Sequence, residues 1–376
     1  MSDIDLHRHL IGQQGSRAAL NTPALVIDAD ALERNIAAMA TFAQKAGVAL
    51  RPHAKTHKSV HIAKKQIAAG ALGVCCAKLG EAEALAEGGV GAILITSPVV
   101  TPQAIARLAA LHGRIGDLRV AADNPDNVDA LAAALPQARR PLPVVVDIDP
   151  GIRRTGVASP EAAVALAQRI AAHPNLRFAG VQFYCGAQQH IESYVERRAA
   201  IADRTAYLSE VIEWLRDAGL APEMITGGGT GTHHIDAGLG VLNELQVGSY
   251  VFMDKQYNDC DLHGDGKTAL ETALFVDAHV ISANAQGMAT IDAGFKALST
   301  DGGSPVVVRG APEGSHFVFM GDEHGALIAP DLKIGDGVSL VVPHCDPTVN
   351  LYDHYHVVRD ATLIDIWPVS ARGRSR

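Results

Sequence analysis

The sequence predicts an α/β protein: a (β/α)8 TIM-like barrel followed by an all-β C-terminal domain. Three observations predict it. Short apolar runs alternate with alanine-rich stretches of helical periodicity through most of the 376 residues. Eight such runs follow a first short one at 24–27, the strand count of a barrel. From about Thr268 the texture changes to short alternating runs split by Gly, Asp and Pro.

After a polar lead, Ala24-Leu25-Val26-Ile27 reads as a strand, and Asp28 opens a helix to about Ala46. The eight runs are 48–52, 73–77, 92–96, 118–122, 143–149, 178–184, 223–226 and 244–252. Helical segments lie between them at 57–70, 81–87, 102–112, 125–135, 160–172 and 190–218, with a weaker, Gly-interrupted one at 233–241. An open doubly wound sheet fits this periodicity almost as well. The β runs are 275–281, 288–292, 305–309, 316–319, 337–342, 354–359 and 362–367. Residues 254–266, rich in Asp and Gly, are the expected junction. Residues 23–260 are thus assigned to the barrel, and 1–22 with 261–376 to the β domain. In a barrel, side chains at strand C-terminal ends face the active-site mouth. His53, Lys55, Asp147, Asp149, Tyr184 and Gly227–Gly229 lie at such ends.

The net charge of −9 argues against a nucleic-acid binder. No apolar run approaches the ~20 residues of a membrane span. The N-terminal stretch carries acids and lacks the apolar core of a signal peptide. Five cysteines without a CxxC pair suit a reducing compartment, so a cytoplasmic location is expected.

Lys55 sits in the turn of Arg51-Pro52-His53-Ala54-Lys55-Thr56-His57-Lys58-Ser59. Neighbouring cations and partial burial would depress its pKa and make it a useful amine nucleophile; a solvated basic loop or a phosphate patch is the alternative. Thr226-Gly227-Gly228-Gly229-Thr230-Gly231-Thr232 follows a strand end, where backbone N–H groups can wrap a phosphate. It lacks a Walker lysine and is not GxGxxG; a tight turn is the plain alternative. Asp149-Pro150-Gly151-Ile152-Arg153-Arg154-Thr155-Gly156 offers an arginine to an oxyanion, or two solvated arginines. On an extended chain, His344 and Asp346 point the same way and Cys345 the other. Such a pair can hold a divalent ion, although a histidine satisfied within the β domain reads equally from the residues alone.

Taken together, RPHAKTHKS, DPGIRRTG, GVQFY, TGGGTGT and ELQVGSYVFMD resemble the fold-type III pyridoxal-phosphate enzymes, and within them the D-threonine aldolase and D-serine dehydratase-like group. The resemblance runs from Thr22 to about Trp367. It implies that Lys55 carries pyridoxal 5'-phosphate and that Arg154 bonds its phenolic oxygen. Gly228, Gly229 and Thr230 would cradle the phosphate with help from Ser249 and Tyr250, and Tyr184 would lie beside the ring. Gln246 matches the arginine that alanine racemases place near the ring nitrogen. Being neutral, it implies a weaker electron sink. His344 and Asp346 would hold a divalent metal, Mn2+ first, with Mg2+, Ca2+, Co2+ or Zn2+ as alternatives, and His190 would be the catalytic histidine rather than a surface one. A His-x-Asp pair falls on the aldolase side of the group and a His-x-Cys pair on the dehydratase side. The implied reaction is retro-aldol cleavage of D-threonine and other D-3-hydroxy-α-amino acids to glycine and an aldehyde, in a homodimer. β-Elimination by a D-serine or D-threo-3-hydroxyaspartate dehydratase is the rival. A non-catalytic pyridoxal-phosphate-binding protein is disfavoured by the β domain.

Overall fold

The computed structural model describes residues 2–135, 140–266, 269–329 and 331–376; the change of texture read at Thr268 lies outside them. After β1 (Ala24–Asp28) come eight strands of one parallel sheet. They are β2 (Ala49–Leu50), β3 (Val74–Cys76), β4 (Ala92–Ile95), β5 (Asp117–Ala122), β6 (Leu142–Asp147), β7 (Leu176–Phe183), β8 (Met224–Gly227) and β9 (Glu244–Leu245). Their order is β2-β9-β8-β7-β6-β5-β4-β3. The two end strands meet: His53 bridges Cys75 in parallel, the Cys75 N–H donates to the Pro52 carbonyl, and the Ala54 N–H donates to the Cys75 carbonyl, both at 2.8 Å. An open doubly wound sheet would leave those edges apart, so the strands form a barrel.

Local chemistry sets the helix starts. Thr101, Asn124 and Ser159 each cap a helix with a side-chain oxygen, and each is followed by proline, at Pro102–Arg114, Pro125–Ala133 and Pro160–Ala171. A proline there loses no hydrogen bond, because its position has no intrahelical partner. The barrel interior is filled by its own apolar cluster of Cys75, Leu94, Val145, Ala179 and Met224. Beside it lies Arg51, 1% exposed, paired with Glu244 at 3.1 Å.

The second sheet uses β10 (Leu274–Ala285), β11 (Met288–Ile291), β12 (Val306–Arg309), β13 (His316–Phe319), β14 (Gly325–Ile328), β15 (Gly337–Val341), β16 (His354–Arg359) and β17 (Thr362–Pro368). β1 joins this sheet, antiparallel to β10 and parallel to β16, so residues 24–28 sit with the β strands although 23–260 were assigned to the barrel. The sequence reading had no strand at β14.

Three local expectations fail for physical reasons. The run 244–252 is not one strand. It leaves the sheet after Leu245 and turns through a 3-10 helix at Ser249–Val251. Val247, Tyr250, Val251 and Phe252 are buried whatever their backbone, and burial alone produces an apolar run. Residues 57–70 begin their helix only at Val60, because residues 54–57 form a turn and Lys58 takes φ +47°. His344 is extended, but the chain after it is helical at Cys345–Val349, with Pro347 in the first turn, so alternation does not govern His344 and Asp346.

Candidate active site

The turn after β2 presents Lys55 to the barrel mouth, with its side chain 36% exposed. Its cationic neighbours are spoken for: Arg51 pairs with Glu244 and Lys58 with Glu81. Lys55 itself donates to Asp346, which arrives from the β domain. Burial works to lower the Lys55 pKa, but the Asp346 carboxylate overrides it and holds the ammonium above its ordinary range. The depressed pKa expected from crowding cations is therefore wrong for this arrangement. Burial pushes the neighbouring His53 well down and His57 down to about 4, so both are neutral near pH 7.

A cavity of about 540 Å³ opens beside Lys55 and is lined by Arg154, Tyr184 and Gln246, together with His53, Thr96 and Gln182. The Arg154 guanidinium lies 5.5 Å from the Tyr184 ring centroid. Of the adjacent arginines, Arg153 is exposed at φ +54° and is not among the lining residues. Asp149 is used by its own loop, accepting the amides of Gly151 and Arg153. Asp147 is buried and accepts from Thr155 at 2.7 Å and Gln182 at 2.9 Å; burial raises its pKa to about 6. Gln182 and Thr96 were missed in the sequence because a polar residue inside an apolar strand carries no periodic signal.

The glycine loop lies after β8. Gly228 has φ +68°, and a Cβ there would meet Asp236 at 2.5 Å; one on Gly229 would meet Gln189 at 2.4 Å. The Gly229 amide donates to Thr232 and the Gly231 amide to Gln189, leaving the Gly228 and Thr230 amides without an acceptor among the described residues. Thr230 accepts the Tyr250 N–H at 2.9 Å, which brings these two predicted residues together; buried Ser249 is next in sequence. The Tyr250 hydroxyl points elsewhere, accepting from Gln66. Two spare amides at a strand end fit a phosphate.

Across the mouth, His344 and Asp346 stand on the turn that enters Cys345–Val349. Asp254, wholly buried, accepts the Cys345 N–H at 2.8 Å and so fixes this turn to the end of the barrel. Burial alone would raise the Asp346 pKa, but Lys55 and His344 hold it well below the carboxylate range. Its Oδ1 is buried and makes no hydrogen bond among the described residues. His344 Nδ1 lies 2.6 Å from Asp301 Oδ2. A carboxylate must accept there, so whenever the ring is neutral Nε2 is the nitrogen that keeps its lone pair, the arrangement common to metal-ligating histidines. Both donor groups therefore fit a divalent cation, and a nitrogen with a carboxylate accepts hard ions as well as zinc. Asp301 and Asp254 escaped the sequence reading, since Thr300-Asp301-Gly302-Gly303 looks like an ordinary turn.

His190 is exposed and lies in the turn before the helix Tyr194–Asp217, not within it. Its ring centroid is 4.5 Å from that of Tyr257. Partial desolvation against the protein around it, then the charges of His344 and Lys55, lower its pKa, so it is a neutral proton acceptor at pH 7.

Asp3, His7 and His356 form the one group of three ligand-type side chains within 4.8 Å of one another among the described residues. Their hydrogen bonds account for them. His7 Nε2 accepts the Asn21 N–H, so Nδ1 carries the proton and donates to His356 Nε2 at 2.8 Å. A histidine in that tautomer has no lone pair to give at Nδ1.

Comparison with known proteins agrees with this geometry. Residues 27–256 match the alanine racemase N-terminal domain, and residues 273–358 match a serine dehydratase domain model. The 3-hydroxy-D-aspartate aldolase of Paracoccus denitrificans (strain Pd 1222) is 41% identical over 361 residues, 94% of this chain and 93% of that one. The D-threo-3-hydroxyaspartate dehydratase of Delftia sp. (strain HT23) is 34% identical over 77% of this chain and 76% of its own. The crystal structure of D-threonine aldolase from Filomicrobium marinum superposes with a TM-score of 0.91 at 40% identity, covering 95% of this chain and 97% of that one. Aldolases and dehydratases are alike lyases, and this chain belongs to their family, an alanine racemase-type barrel joined to a serine dehydratase-type β domain.

Proposed function

We propose that the protein cleaves D-threonine and other D-3-hydroxy-α-amino acids to glycine and an aldehyde, using pyridoxal 5'-phosphate and a divalent metal, manganese before magnesium, calcium, cobalt or zinc. One observation carries the reading. Lys55 of the barrel meets Asp346 of the β domain, so an amine and a metal-type carboxylate share one mouth. Lys55 would hold the cofactor, with Arg154 and Tyr184 beside it and the amides of Gly228 and Thr230 on its phosphate, near Ser249 and Tyr250. His344 and Asp346 would hold the ion. When bound, the cofactor supplies a sink for the electron pair of a broken Cα bond, and the ion a Lewis acid for the β-hydroxyl.

The chain's own residues then do the following. His190, neutral because of partial desolvation and its cationic neighbours, takes the β-hydroxyl proton. Asp301 keeps the His344 ring in the tautomer whose Nε2 would be free to hold the ion. Asp254 keeps the turn carrying His344 and Asp346 in register with the barrel. As the hydroxyl becomes a carbonyl, the Cα–Cβ bond breaks and the aldehyde leaves; a proton returned to Cα gives glycine.

A second reading, β-elimination of water, draws on the dehydratase relatives. The pair His344 and Asp346 supports the aldolase instead, because its second donor is a carboxylate and not a thiolate; Cys345 between them is buried, with its amide held by Asp254. Product analysis on D-threonine and D-phenylserine, with and without chelator, tests this. Aldehyde plus glycine supports the proposal; keto acid plus ammonia supports the dehydratase; full activity in excess chelator removes the metal from it. We infer also a cytoplasmic homodimer. Five buried free cysteines suit a reducing compartment. Exposed Val306, Val308, Val318, Met320 and Ile328 on the β domain suit a partner surface. No helix among the described residues is long and apolar enough to cross a membrane.

A further inference from the structure

Gln246 implies a weaker electron sink because it is neutral and cannot act as a carboxylate toward the ring nitrogen; as an amide, it could also either donate or accept there. The surrounding hydrogen bonds remove that ambiguity. Gln182 places one terminal atom 2.9 Å from the backbone carbonyl of Thr96 and 2.9 Å from Asp147 Oδ1. A backbone carbonyl can only accept, so the Gln182 atom facing it is Nε2. The other terminal atom of Gln182 is therefore its oxygen, and it lies 3.3 Å from a terminal atom of Gln246. That atom must donate, and so is Nε2 of Gln246. Its second hydrogen is directed to Thr226 Oγ1 at 3.1 Å. Both N–H groups of the Gln246 amide are thus spent on the barrel wall.

What remains is Gln246 Oε1. The residue lines the cavity beside Lys55, and no donor among the described residues reaches that oxygen. Flipping the Gln246 amide would set its oxygen against the Gln182 oxygen. Flipping both would set the Gln182 oxygen against the Thr96 carbonyl. Either leaves buried polar groups unpaired, which is unfavourable. The arrangement does not depend on whether Asp147 is ionised, since Thr96 alone fixes Gln182.

The next step rests on the pyridoxal-phosphate reading. The cofactor's aldehyde carbon is flanked on the ring by the carbons bearing the phenolic oxygen and the phosphate arm. With those three groups on Lys55, Arg154 and the Gly228 loop, the ring nitrogen lies across the ring from Lys55. Of the polar groups on the cavity wall, His53, Thr96 and Gln182 are bonded to one another or to neighbouring protein groups, whereas Gln246 Oε1 offers an acceptor with no donor on it. We propose that Thr96, acting through Gln182, locks the Gln246 amide with its carbonyl oxygen toward the cavity, so that it accepts a hydrogen bond from a protonated ring nitrogen. Gln182 is then a positioning residue. The electron sink is stronger than a neutral amide by itself would imply, because the fixed acceptor favours the pyridinium form.

The test uses holoenzyme reconstituted with cofactor labelled with 15N in the ring, read by NMR beside the visible absorbance of bound cofactor. Wild type should give the upfield signal of a protonated ring nitrogen, unchanged as pH is taken through 6 and up to 8. Gln246→Met should bind cofactor and move the signal to the unprotonated position. Gln182→Met frees the Gln246 amide to turn and should move it part of the way, while Gln246→Glu should keep it protonated. Bound cofactor with an unprotonated ring nitrogen in wild type overturns this inference and leaves the proposed function standing. A Gln246→Met signal that stays at the wild-type position does the same. No absorbance of bound cofactor in wild type overturns both.

Discussion

Lys55 and Asp346 lie 291 positions apart in the chain, in different domains, and form an ion pair at the barrel mouth. The carboxylate is what lifts the lysine's pKa against the pull of burial. In Asp346→Asn the pull of burial remains and the carboxylate does not. Cofactor attachment needs the free amine, so the pH midpoint for the rise in cofactor absorbance should fall by about a unit or more, each unit being ~1.4 kcal/mol. A midpoint that stays put would show that the pair is not what sets the lysine.

Asp301 lies 2.6 Å from His344 Nδ1 and orients the ring that the proposed function gives to the ion. Asp301→Ala should weaken metal binding about 10–100-fold, as loss of such a partner does elsewhere. Metal titration of the variant followed by calorimetry checks this. Activity should return at high metal concentration with kcat near the wild-type value.

Glu244 neutralises Arg51, whose side chain is 1% exposed. Glu244→Ala leaves a buried guanidinium facing only Asp117 at 3.9 Å. The expected loss is about 3–5 kcal/mol, read from denaturant midpoints. A double change to apolar residues of similar volume should recover much of it.

His356 is 2% exposed, and burial, followed by the neighbouring His7, lowers its pKa to about 4. The folded value lies below the ordinary 6.5, so the unfolded chain takes up the proton first on acidification. Its contribution is whole above pH 6.5, falls by ~1.4 kcal/mol per pH unit on the way down, and is spent near pH 4. The difference in urea stability between wild type and His356→Gln, measured from pH 7 to pH 4, should follow that slope. A flat difference would mean that His356 is protonated in the folded protein.

The strand and helix alternation was readable because each barrel strand is a short apolar run and each helix carries an apolar stripe. Barrel closure was not readable: it depends on the bridge from His53 to Cys75, and periodicity is the same in a closed and an open sheet. Lys55, Arg154, Tyr184 and Gln246 all reach one cavity, as their places at strand ends or the loops after them suggested. The charge state of Lys55 was misread, since its decisive partner comes from the far end of the chain. Gln182, Thr96, Asp254 and Asp301 hold other side chains and turns in place. Only the folded arrangement reveals such roles, and no spacing rule marks them.

The two metal-type side chains stand on one short turn, and the buried carboxylate of Asp254 helps to tie that turn to the barrel. The cofactor-type groups, by contrast, are distributed over several strands. Asp346 nevertheless also pairs with Lys55, so the two halves of the mouth are coupled. A change of side chain at position 346 would therefore be felt twice over, at the ion that the proposed function puts there and at the lysine that would carry the cofactor.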